Sequence, residues 1–149
     1  LILKPDLSTP FGEIQMATIN APSLQDIVYS GDCPLAVAHG YVTLAAAAIG
    51  DKVRLNKVYA GTKVHSSHFI NAALGASSTV KLGFEYVNGE AGGDDAAFVA
   101  ATSTASAARA NTVAAPIVLA YDAYIIATIG GAAATGKLDS VVTYEFRGK

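Results

Sequence analysis

The side chains best suited to chemistry in this chain are three histidines, one cysteine and twelve acidic residues. His65 and His68 are separated by two residues, a spacing that shares a metal ion on a helix face. On an extended strand the same spacing sends the two imidazoles to opposite faces. His39 is distant in sequence, and a cupin-like metal enzyme would instead place two histidines one residue apart beside a glutamate. Cys33 lies between Asp32 and Pro34 without the local signature of a catalytic thiol, so a small buried thiol is the plainer reading. Glu90, Asp94 and Asp95 gather around Gly92-Gly93, but their spacing lacks a full set of oxygen ligands for calcium and reads as a solvated turn.

Gly131-Ala132-Ala133-Ala134-Thr135-Gly136-Lys137 matches the G-x-x-x-x-G-K pattern of a phosphate loop. The residue that would hold magnesium is Leu138 rather than Ser or Thr, and Leu138–Phe146 alternates like a strand where a helix is required. A hairpin connection is the better reading. The seven tyrosines (29, 41, 59, 86, 121, 124 and 144) read as sheet and interface residues, and the lack of tryptophan weakens a sugar-binding platform. No catalytic, cofactor-binding or metal-ligating residue is assigned, no cofactor is expected, and the chain is not expected to be an enzyme.

The elements that would position these residues are mostly short strands. Thr79–Val87 has a clear period of two: Val80, Leu82, Phe84 and Tyr86 point one way, Thr79, Lys81, Gly83 and Glu85 the other. Asn88-Gly89 then supplies a turn. Tyr41–Ala46, Lys52–Tyr59 and Lys63–Leu74 are further strand candidates, with a bulge expected at Asn56-Lys57. Ala96–Ala101 fits a helical turn or a short strand, and 101–115 reads as a loop rich in Ala, Ser and Thr. Ile117–Tyr121 and Tyr124–Ile129 are apolar on both faces. The latter must therefore lie under a loop or in an interface. Lys137–Phe146 closes the chain with Leu138, Val142, Tyr144 and Phe146 on one face, interrupted by Ser140. Seven or eight such strands predict an all-β, single-domain, jelly-roll-like sandwich.

Residues 1–36 have a different character. Four of the five prolines fall there, at 5, 10, 22 and 34, among many apolar residues. Proline fixes φ and removes a backbone donor, so long helices and central strands are excluded. The expected organisation is an extended N-terminal arm over 1–36, with a helical turn near Ser23–Val28 capped by Ser23, and a sandwich over 37–149. The chain opens Leu1-Ile2-Leu3-Lys4 rather than on methionine, which points to processing or an absent start residue; no retained signal peptide is expected.

The bulk numbers narrow the function classes. A chain of 149 residues suits one domain that buries about 68–70% of its unfolded surface. One cysteine allows no internal disulfide. A net charge of -2 with no basic stripe disfavours nucleic acid. Pro116 and Asp122 interrupt the apolar stretch 112–136, so no membrane span is expected. Hydrophobic residues make up 52% and charged residues only 15%, which fits either a surface covered by partners or an alanine-rich surface that tolerates exposure.

Against this background, three stretches carry a family resemblance: Ala72 to Tyr86, Ala101 to Ala107, and Ala127 to Gly136. Together with Gly50-Asp51-Lys52-Val53-Arg54-Leu55, they make residues 40–147 resemble the capsid cement, or decoration, proteins of tailed bacteriophages. The resemblance implies a jelly-roll-like sandwich on the exterior of an icosahedral head, produced in the host cytoplasm. It implies the major capsid protein and copies of itself as partners, and it carries over no functional residue. A tail or fibre subunit and a sugar- or small-ligand-binding jelly roll are the alternatives.

Overall fold

The computed structural model describes residues 16–25 and 35–146. Ten strands form two sheets. One runs β1 (Thr18–Asn20), β3 (Lys52–Val58), β9 (Ala123–Gly130), β5 (Thr79–Tyr86), β6 (Asp94–Ser103) in spatial order. The other runs β2 (Ala36–Ala47), β10 (Ala134–Phe146), β4 (Thr62–Asn71), β7 (Ala108–Asn111), with the short β8 (Ile117–Val118) also on β4. From β2 onward the chain alternates between sheets, apart from the β5–β6 pair and the short β8. The facing orders β2-β10-β4-β7 and β3-β9-β5-β6 are those of a jelly roll. We call these the B sheet (with β2) and the A sheet (with β3).

Period-two alternation builds the core. Val80, Leu82 and Phe84 of β5 join Ile125, Ala127 and Ile129 of β9 and Val53, Leu55 and Val58 of β3. They meet Val42 and Leu44 of β2, Phe69 of β4, and Leu138, Val142 and Tyr144 of β10. Each large side chain so buried contributes roughly 1.5–3 kcal/mol against the chain entropy lost on folding. Ser140, which interrupts the apolar face of β10, is fully buried opposite Gly40.

Several sequence expectations are corrected. Of the two readings of Ala96–Ala101 the strand holds, inside one long strand over 94–103, and 108–111 form another within the stretch read as a loop. Local alanine content hid the full length of the first and the whole of the second, because alanine has no β signature and these strands are specified by their partners. The helical turn is a 3₁₀ turn over Pro22–Gln25, and Ser23 lies inside it rather than capping it. Its hydroxyl donates to the Leu55 carbonyl at 2.7 Å and accepts from the Tyr41 N–H at 2.9 Å. One side chain thus ties the edge of β2 to β3, joining the two sheets. β1 adds in parallel to β3, and Asp51 accepts from the Ala17 and Ala48 N–H groups. The remainder of the proposed arm, including Tyr29 and Cys33, lies outside the described residues.

The expected irregularity near Asn56 is a register shift between Arg54 and Asn56 against β9. The phosphate-loop pattern is a turn between sheets rather than the expected hairpin: β9 ends at Gly130 in the A sheet, β10 starts at Ala134 in the B sheet, and Gly131 takes φ of 70°.

Candidate contact surface

The outer faces of the two sheets are finished in different ways. On the A sheet, β9 is central and its outward residues Tyr124, Ile126 and Thr128 need cover. Arg54 stacks its guanidinium 4.5 Å from the Tyr124 ring centroid. Ile126 is only 1% exposed, beside residues 89–95 of the segment linking β5 to β6. Gly83 makes this cover possible, because a Cβ there would collide with the backbone of Asp94 and Asp95. An open groove of 480 Å³ remains, with Lys52, Glu85, Glu90 and Asp94 along it.

The charges around that groove are largely spoken for. Glu85 accepts from Arg54 at 2.7 Å and from Lys52 at 3.4 Å. Lys81 donates to Asp95 at 2.7 Å. Glu90 accepts from the Asn88 N–H, and Asp94 from the Ala96 N–H. The three acidic residues singled out in sequence therefore act as turn and strand partners.

The outer face of the B sheet has no such flap among the described residues. Val37 is 62% exposed, Ile70 44% and Tyr41 37%, on β2 and β4, which share this face with Val141 and Thr143 of β10. All three histidines lie on it as well. His39 of β2 donates to Asp139 of β10 at 3.0 Å, and Lys137 reaches the same carboxylate at 3.5 Å. His65 of β4 bonds Glu145 of β10 at 3.1 Å. His68 accepts from Arg109 of β7 at 3.3 Å, so its Nδ1 is unprotonated in this arrangement. Burial, and then the Arg109 charge, hold His68 below the usual histidine range.

The expectation that His65 and His68 face opposite ways is overturned. A register shift between Thr143 and Tyr144 gives β4 an extra residue at position 65. Val64, Ser67 and Phe69 point inward, and both histidines point out. Even so, each is occupied by a different partner, and among the described residues no group of three or more His, Cys, Asp or Glu side chains gathers for a metal. Sequence spacing alone misses this shared face, since nothing in Val64-His65-Ser66-Ser67-His68 marks the bulge.

The described tyrosines divide by environment. Tyr86 and Tyr121 meet edge to face at 5.2 Å at one end of the A sheet, and Lys57 sits over Tyr59. Tyr144 is 2% exposed, and burial pushes its phenol above the usual range. No helix of the described residues is long and apolar enough to cross a membrane.

The class defined by this geometry is a jelly-roll β-sandwich with one self-covered face and one that no segment among the described residues covers. No family model matches the sequence, and no curated protein sequence matches it. Among solved structures, a chain from the capsid of Ralstonia phage GP4 superposes with a TM-score of 0.69 at 14% identity, covering 89% of this chain and 100% of that one. A chain from the acid-stable capsid of Helicobacter pylori bacteriophage KHP30 gives 0.57 at 14% identity, over 82% and 92%. A chain from the capsid asymmetric unit of cyanophage Pam1 gives 0.53 at 19% identity, over 94% and 99%. At these identities the likeness establishes the fold.

Proposed function

We propose that this chain is a non-enzymatic structural subunit of a phage virion, and specifically a cement protein on the outside of the head. The observation that carries this reading is the extent of the structural likeness. Three chains from phage capsids match over 92–100% of their own length, so the shared unit is the whole sandwich rather than a fragment. The B-sheet face supports it, because exposed apolar side chains on β2 and β4, either side of β10, suit a subunit that works while covered. The major capsid protein and copies of this chain are the proposed partners. Many copies, each bridging neighbouring subunits, would hold a shell together through avidity without any single strong site. Mass spectrometry of purified particles tests this. The expected result is this chain in near-stoichiometric ratio to the shell subunit and associated with heads. Association with isolated tails would assign it to the tail, and absence from the particle would refute a virion role.

A further inference from the structure

The two outer faces also differ in charge. On the outer face of the A sheet, the cations Lys52, Arg54, Lys57 and Lys81 are matched by the carboxylates Glu85, Glu90, Asp94 and Asp95. On the B-sheet face the cations are in excess. Lys63, Arg109 and Lys137 stand against Asp139 and Glu145, and both carboxylates are already engaged by histidines. Among the described residues Arg109 pairs with no carboxylate: its Nε donates to Asn111 and its Nη2 to His68. Among the described residues Lys63, opposite Glu145 in register, makes no ion pair. Among those residues this face thus has cations to spare and no free carboxylate, beside the exposed Val37, Tyr41 and Ile70.

We propose that the outer face of the B sheet docks on an acidic protein surface of the shell. This rests on the reading of the chain as a head protein and adds which face is used and what chemistry it meets. The groups bearing on each histidine are defined. His39 faces Asp139, with Lys137 on the same carboxylate and Tyr41 beside the ring. His65 faces Glu145 across the sheet, with Lys63 in the opposing register position. His68 lies between Arg109 and the apolar Val141. A partner carboxylate placed over Arg109 would meet a guanidinium that no carboxylate among the described residues holds. A nucleic-acid partner fits less well, because the cations are separated by Asp139 and Glu145 rather than arranged in a stripe.

The test is rebinding of purified protein to heads prepared without it, at low and moderate salt. Lys63→Glu/Arg109→Glu is compared with Lys57→Glu, a charge reversal on the A sheet. Retained thermal transitions confirm that the variants fold. The expected result is about tenfold weaker binding for the B-sheet variant and little change for Lys57→Glu. Wild-type binding is also expected to weaken with salt. Binding of the B-sheet variant equal to that of the wild type would overturn this inference and leave the head-protein reading standing. Failure of the wild type to bind any head would overturn both. Sedimentation showing that the B-sheet variant loses self-association, with head binding intact, would assign the face to a second copy and overturn the acidic-shell partner.

Discussion

The A and B sheets share one core and one style of strand, yet their outer faces are completed differently. The central strand of the A sheet is apolar on both sides, and the segment after β5 covers its outer side, with Gly83 permitting backbone contact. The B sheet alternates more strictly along β2 and β10, and its outer face carries the histidines, their carboxylates and exposed Val37, Tyr41 and Ile70. Burial within the chain accounts for one face. On the other, polar groups are interleaved with the apolar ones, and no segment among the described residues covers it.

The largest test of this contrast is a matched pair of substitutions. Ile126→Asp puts a charge where the wild-type side chain is 1% exposed, and it should cost more than about 4 kcal/mol or prevent folding. Ile70→Asp, at a position 44% exposed, should stay within about 0.5 kcal/mol of wild type in the isolated protein. Equal losses in denaturant titrations would erase the distinction between the faces. Next in size, Gly83→Ala should lower stability by roughly 1–3 kcal/mol, as the covering segment is forced off the sheet. Hydrogen exchange should then rise first across 88–95 and at β9. Unchanged protection there would show that the cover does not depend on this glycine.

The smallest effect concerns pH. His68 titrates lower in the folded chain than in the unfolded one, so the unfolded state binds more protons near and below the ordinary histidine range. Its contribution is therefore fully present above about pH 6.5 and is lost as pH falls through the folded value. Arg109→Gln should shrink that loss, which can be read as the difference in denaturation midpoint between pH 7.5 and 5.5. A steeper loss in the variant would contradict the assigned role of Arg109.

Much of the architecture was legible in the sequence because alternation is local. Thr79–Val87 and Leu138–Phe146 carry their inward faces in their residue order, and both strands appear in the fold. The need for cover over Tyr124–Ile129 was also legible, since a two-faced apolar strand cannot remain half wet. What stayed hidden depends on partners. The full extent of the strand at 94–103, and the strand at 108–111, are rich in alanine and are set by pairing with β5 and β4. The common face of His65 and His68 depends on a register shift against β10, and the Ser23 clamp on contacts 18 and 32 residues away in sequence. The charge difference between the faces appears only once strands distant in sequence are laid side by side.

The central claim is that this sandwich is a head protein whose bare sheet is its contact surface. Cryo-electron microscopy of the intact particle tests it most directly. The account predicts jelly-roll density on the head exterior in near-stoichiometric copies, with β2, β10 and β4 turned toward neighbouring shell subunits. Absence of the fold from the head, or its presence there with that sheet facing open solvent, would contradict the account.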